Sequence, residues 1–163
     1  MTGPDTLPLA VIDLDGVIAD VRHRLHHIDG AKKNWPAFFA EVGSDDVLPE
    51  GRAVVDRLAG DHEILYLTGR PERTRPATED WLTRHELPRG RVIMRRDDDR
   101  RPARMVKPAL LRSLSRGRQI AVVVDDDPAV CDALRAQGWP VLQADWMPPP
   151  EPLHEVQERQ GRT

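Results

Sequence analysis

The sequence predicts an α/β fold, a doubly wound and mainly parallel sheet, on three observations. Short apolar runs rich in β-branched residues recur along the chain, helical patterns of about 10 to 15 residues separate them, and acidic or hydroxyl residues stand where the runs end. In a parallel sheet those ends meet in one crevice, where ligands bind.

The first run, Leu9 to Ile12, has the length and continuous apolar character of a strand covered on both faces, and Asp13-Leu14-Asp15-Gly16-Val17 closes it. In an extended chain residues i and i+2 point the same way, roughly 6 to 7 Å apart, so Asp13 and Asp15 can flank one reacting atom. Gly16 permits a sharp exit. An isolated Asp-x-Asp-Gly is equally compatible with a solvated turn, so the rest of the chain decides.

Val17 to Leu48 breaks the rhythm. Arg22, His23, Arg24, His26, His27, Lys32 and Lys33 precede Trp35-Pro36-Ala37-Phe38-Phe39, which reads as a polar, partly helical cap insertion at about 17–48. Trp35 is read as an anchor of that insertion in preference to a base-stacking ring. His26 and His27 lack the spacing of a metal site and are read as surface or substrate-contact residues.

Helical spacing then covers Glu50 to Ala59, with a stop at Gly60. A strand from Glu63 to Leu67 ends in Thr68-Gly69-Arg70, and a helix from Glu72 to His85 carries Trp81 and Leu82, with Pro76 limiting its start. After a strand from Arg91 to Met94, a helix is expected from Lys107 to Ser115, with Pro108 in its first turn and Leu110, Leu111 and Leu114 on one face. The strand Ile120 to Val124 ends in Asp125-Asp126-Asp127. Asp127 can cap the next helix, Pro128 to Gln137, which stops at Gly138, and Cys131 within it reads as a packed core thiol. Val141 to Ala144 is the last strand, and a proline-rich tail follows at about 147–163.

A chain of 163 residues fits a single domain, 1–163. Its 24 Lys and Arg against 27 Asp and Glu exclude a globally basic polyanion binder. One cysteine excludes a disulfide framework and a Cys-based zinc site and suits a reducing compartment. No apolar run reaches membrane-spanning length, and the first residues lack a signal segment; a cytoplasmic protein without a membrane partner is expected.

Together the strand ends carry what phosphoryl transfer from a monoester requires. Converging carboxylates repel one another, so a hard divalent cation, Mg²⁺, is the economical explanation, with Asp13, Asp125 and Asp126 as its ligands. A carboxylate can then attack phosphorus while a second carboxylic acid protonates the leaving oxygen. Thr68 offers a hydroxyl and the following amide, at Gly69, to phosphoryl oxygens. Lys107 adds a fixed charge at a helix start, and Arg70 a fork for a phosphate. Taken singly, each feature has a plain structural reading; all four in an order that brings them to one sheet rim do not.

Asp-Leu-Asp-Gly-Val, Leu-Thr-Gly-Arg, the downstream Lys107 and Val-Val-Asp-Asp-Asp resemble, in order, the four motifs of the haloacid dehalogenase (HAD) superfamily of phosphatases. The resemblance covers Leu9 to about Ala144. It implies a Rossmann-like fold, Mg²⁺ dependence and an aspartyl-phosphate intermediate. Asp13 then corresponds to the nucleophile and a metal ligand, and Asp15 to the general acid/base with its backbone carbonyl on the metal. Thr68 and Lys107 correspond to the phosphate-stabilising pair, Asp126 to a direct ligand and Asp125 to a supporting one.

Substrate choice rests on the periphery. Arg95 to Lys107 holds six basic and three acidic residues beside the expected catalytic lysine. With Thr-Gly-Arg-Pro, Trp81, Val-Asp-Asp and Gly138-Trp139, this stretch resembles the phosphatase domain of polynucleotide kinase/phosphatases, which removes 3′-phosphates from nucleic acid ends. By that resemblance Gly69, Arg70 and one of Arg95 or Arg96 contact substrate, and Arg22, Arg24, Lys32, Lys33 and the arginines of 95–104 hold the strand. No Gly-x-x-x-x-Gly-Lys-Ser/Thr occurs, so a stand-alone phosphatase or one working beside a separate kinase or ligase is expected; a second copy of the chain is another candidate partner. Phosphorylated nucleic acid ends are the favoured substrate, with mononucleotides or other small esters as the alternative. A catalytically silent binding module would be marked by loss of an acid at position 13 or 15, and both are present.

Overall fold

The computed structural model describes residues 6–147; the proline-rich tail expected beyond Met147 lies outside them. Five strands form one parallel sheet in the order β5-β4-β1-β6-β7: β1 (Leu9–Ile12), β4 (Glu63–Pro71), β5 (Gly90–Arg95), β6 (Ile120–Asp125) and β7 (Val141–Gln143). A two-stranded antiparallel ribbon joins β2 (Ala19–Asp20) to β3 (Asp46–Val47). The chain runs from β1 outward through β4 to β5, then returns to β6 on the other side of β1. That reversal makes the C-terminal rim between β1 and β6 the topological switch point.

Period-two alternation sorts the side chains of β1 between two cores. Ala10 and Ile12 join Ile64, Tyr66, Val55, Trp81 and Leu82 on one face, under α2 (Pro49–Leu58) and α3 (Arg75–Arg84). Leu9 and Val11 join Leu65, Leu67, Leu111, Val130 and Leu134 on the other, under α4 (Ala103–Ser115) and α5 (Pro128–Ala136). Every residue of β1 is buried, which explains the unbroken apolar run.

Two elements depart from expectation. Strand β4 runs on to Pro71, so Thr68, Gly69 and Arg70 lie within its end, where the pairing with β5 shifts register between Leu67 and Pro71. Helix α4 begins at Ala103, one turn earlier than expected. Lys107 therefore sits in its second turn and Pro108 inside it, since Pro102, not Pro108, marks the boundary. The C-terminal half reads as expected: Asp127 accepts from the Ala129 amide at the start of α5, and Gly138 ends that helix with φ +83°.

The segment after β1 holds a 3₁₀ turn (Arg22–His27), α1 (Trp35–Ala40) and a core of its own, in which Val21, Ile28, Trp35, Phe38, Phe39, Val42 and Leu48 pack with Met147. Trp35 is the expected anchor, stacked on Phe39 and edge-on to Phe38. Two indoles fasten this segment to the sheet domain. Trp146 Nε1 donates to the Val17 carbonyl at 2.8 Å, and Trp81 Nε1 donates to the Asp45 carbonyl at 2.7 Å. No helix among the described residues is long and apolar enough to cross a membrane.

Candidate active site

Asp13 continues β1 beyond its last ladder residue, its amide donating to the Val124 carbonyl of β6 at 2.9 Å. Asp125 ends β6 and Asp126 follows it, so three acids from two adjacent strands reach the switch point. One oxygen from each of Asp13, Asp125 and Asp126 lies within 4.8 Å of the others. This oxygen-only donor set suits a hard divalent cation. The backbone makes room for it: Gly16 has φ +78°, and a Cβ there would fall 2.1 Å from an Asp126 carboxylate oxygen. Glycine is required for Asp126 to approach the β1 exit at all.

Lys107 reaches into this group from α4, with Nζ 2.5 Å from Asp125 Oδ2 and 3.4 Å from Asp13 Oδ2. One ammonium among three carboxylates leaves negative charge unbalanced. Burial, followed by the repulsion of Asp125, Asp126 and Asp15, pushes the Asp13 carboxyl well above the usual carboxylate range, against the pull of Lys107. Lys107 is itself buried, a penalty that Asp125 and Asp13 more than offset, so its ammonium is held charged far above the usual lysine range.

Asp15, two residues on, has different company. Three donors converge on its Oδ1: Arg70 Nη2 at 2.7 Å, Arg70 Nε at 2.9 Å and Arg24 Nη2 at 3.1 Å. Burial disfavours its charge, yet Arg70 and then Arg24 hold it below the usual carboxylate range. Both arginines also bind Asp45 of the inserted segment. Arg24 Nε and Nη2 donate to it at 2.7 and 2.8 Å and Arg70 Nη2 at 2.8 Å, while His23 Nε2 lies 2.7 Å from its Oδ1.

Arg24 and Arg70 thereby correct two expectations. Both are fully buried, and their guanidinium groups face Asp15 and Asp45. Neither offers its fork to a strand or a phosphate; the cost of burying a guanidinium is met by paired carboxylates. Arg22 instead pairs with Asp20 at the surface, and Lys33 donates to the Ile28 carbonyl. His27 pairs with Glu41. Sequence reasoning missed Asp45, which belongs to no motif and is one of five acids in 17–48, so no local signal singles it out.

Thr68 and Gly69 lie with Lys107 along a cavity of about 130 Å³, whose lining joins apolar side chains such as Leu67, Ile93 and Val106 to Arg95, Arg96, Asp99 and Arg101. The Thr68 hydroxyl accepts from the Arg70 amide at 3.2 Å. Arg95 and Arg96 part company here. Arg95 is buried and donates to the Arg101 carbonyl at 2.8 Å, whereas Arg96 is exposed and pairs with Asp98. Cys131 is buried under Asp125, its Sγ 3.4 Å from that carbonyl, and burial pushes the thiol up to about 12.

Solved structures share this architecture. A chain of the Pnkp1/Rnl/Hen1 complex superposes with TM-score 0.70 at 22% identity, over 88% of this chain and 48% of that one; this chain thus spans about half of its length. The haloacid dehalogenase-like hydrolase SP0104 from Streptococcus pneumoniae aligns with TM-score 0.59 at 12% identity, over 93% of this chain and 91% of its own. The HAD-hydrolase YfnB from Bacillus subtilis, bound to magnesium, aligns with TM-score 0.60 at 8% identity, over 88% and 93%. No curated protein matches the chain. The model of the polynucleotide kinase PNKP phosphatase domain matches residues 8–146, a span that holds every acid, threonine, lysine and arginine of the site, and the chain belongs to that family of HAD phosphatases.

Proposed function

We propose that the chain is an Mg²⁺-dependent phosphomonoesterase that removes 3′-phosphates from DNA or RNA ends, with 17–48 acting as a cap over the strand ends of a single domain. The observation that carries this is the placement of Asp13 within 4.8 Å of Asp125 and Asp126, with Lys107 3.4 Å away.

Asp13, Asp125 and Asp126 would hold the cation, with the Asp15 carbonyl as a further ligand. Bound there, Mg²⁺ supplies charge neutralisation, letting a phosphate dianion approach a carboxylate. An Asp13 oxygen forms a bond to phosphorus as the bond to the leaving oxygen breaks, giving an aspartyl-phosphate. Asp15, held ionised at rest by Arg70 and Arg24, takes up a proton from solvent as the phosphate's negative charge arrives and delivers it to that leaving oxygen; it then takes one from the water that attacks the acyl phosphate, and Asp13 returns as a carboxylate. Thr68, the Gly69 amide and Lys107 stabilise the equatorial oxygens. Arg95 and Arg96 both edge the cavity that Thr68 and Lys107 line; Arg95, fixed there by its bond to the Arg101 carbonyl, is the one proposed to touch substrate. Family membership supports nucleic acid ends; the partner is a separate kinase or ligase, in keeping with the likeness to a chain of the Pnkp1/Rnl/Hen1 complex, with a second copy of the chain as the alternative.

One observation favours small esters instead. The basic stretch after β5 is partly neutralised within itself, Arg96 by Asp98 and Arg101 by Asp99, which weakens its hold on a polyanion. The test compares phosphate release from a 3′-phosphorylated oligonucleotide with release from 3′- and 5′-mononucleotides across a salt series. Faster release from the oligonucleotide, declining as salt rises, is expected; equal or better mononucleotide turnover with little salt response would replace the polynucleotide reading.

A further inference from the structure

We propose that Asp45 is a positioning residue for the proton transfer made by Asp15, acting through Arg24 and Arg70; the inference rests on the phosphatase reading above. The geometry behind it is the division of labour between the two Asp15 oxygens. All three guanidinium donors converge on Oδ1, which leaves Oδ2 as the oxygen that takes up a proton with the substrate and passes it to the leaving group. A carboxyl pinned at one oxygen cannot rotate to present the other, so the arginines decide which atom meets the leaving group.

The arginines in turn need a fixed counterpart. Arg70 has one further hold, its Nη1 donating to Thr78 Oγ1 at 3.2 Å; against Asp15 alone a guanidinium can swing about the single oxygen, and two cations pressed against one carboxylate repel each other. Asp45 removes both freedoms, because its carboxylate takes Arg24 through two nitrogens and Arg70 through a third. Its own place is set from the sheet domain, since Trp81 of α3 donates to its carbonyl and Phe38 lies under the Arg24 guanidinium at 4.3 Å. The cluster of Asp15, Arg24, Arg70 and Asp45 carries two charges of each sign, and every one of these residues is at most 5% exposed. Thus the inserted segment reaches into the chemistry by holding the proton donor still, without touching the substrate.

The experiment exploits leaving-group chemistry. An aliphatic 3′-oxygen must be protonated as it departs, whereas nitrophenolate leaves without a proton. First-turnover release of the alcohol from a 3′-phosphorylated oligonucleotide and of nitrophenolate from p-nitrophenyl phosphate is measured with Mg²⁺ for wild type, Asp45→Asn and Trp81→Phe. In Asp45→Asn the oligonucleotide rate is expected to fall by about 10²-fold or more, the nitrophenyl rate by less than about tenfold, with KM for both unchanged. Trp81→Phe keeps the carboxylate and loses the indole N–H that places it, together with indole volume packed in the core and against Arg70, and should show the same selectivity with a smaller loss. Equal losses on both substrates, in either variant, would overturn the positioning role and leave the phosphatase reading intact. Should Asp45→Asn fail to fold, an unselective Trp81→Phe overturns it alone. A wild type inert on both esters would instead sink the proposed function itself, and the positioning role with it.

Discussion

Two buried ionic clusters sit side by side in this protein, separated by a single residue of the chain, and they solve opposite problems. Around Asp13, three carboxylates meet one ammonium; around Asp15, two carboxylates meet two guanidiniums. The first is left negative and its lead acid is pushed up in pKa, while the second is balanced and its lead acid is held down. A cluster with matched charges is complete within the chain. An unmatched one carries a charge imbalance that a proton or a hard cation can relieve, and its oxygen-only donor set suits such a cation.

The contrast can be broken most sharply at Asp13. Asp13→Asn should lower Mg²⁺-dependent phosphate release by at least about 10³-fold, as loss of a nucleophile does, while its circular dichroism remains that of wild type. In EDTA the same variant should melt higher than wild type, by roughly 2–4 °C for about 1 kcal/mol in a domain of this size, because it relieves repulsion. The balanced cluster should respond in the opposite direction. Asp45→Asn leaves buried guanidinium charge unmatched and should cost about 3–5 kcal/mol in chemical denaturation. If both variants shifted stability the same way, the two clusters would not differ as described.

A third perturbation separates cation binding from fold. Added Mg²⁺ at 100 times its Kd should stabilise wild type by about 2.7 kcal/mol, seen as a rise in melting temperature that Asp126→Asn loses. The smallest effect is expected at Cys131, whose thiol, raised by burial to about 12, stays protonated and unreactive to iodoacetamide at pH 8; Cys131→Ser should leave turnover unchanged.

The unbalanced cluster was legible in the sequence and the balanced one was not. Asp13, Asp125, Asp126, Thr68 and Lys107 each stand at or near the end of a regular element, so strand pattern and sheet topology are enough to bring them together. Arg24 and Asp45 lie in the inserted segment, whose path is set by the packing of Trp35, Phe38, Phe39 and Met147 and by an indole bond from Trp81. Nothing in the local pattern states that path, so the sequence assigns Arg24 to holding the strand and Arg70 to a phosphate fork, and does not single out Asp45. The misplaced start of α4 has a local origin: Pro102 and Pro108 both resemble a helix-start proline, and a tertiary contact, the reach of Lys107 to Asp125, lies one full turn inside the helix.

The central claim is that the Asp13 cluster receives a phosphoryl group onto Asp13 itself. The most direct measurement is acid quenching of the protein during Mg²⁺-supported turnover of a 3′-phosphorylated oligonucleotide, followed by peptide mass analysis. Phosphate on Asp13, absent in Asp13→Asn and absent without Mg²⁺, is the expected result; steady turnover with phosphate on some other residue, or on none, would contradict the account.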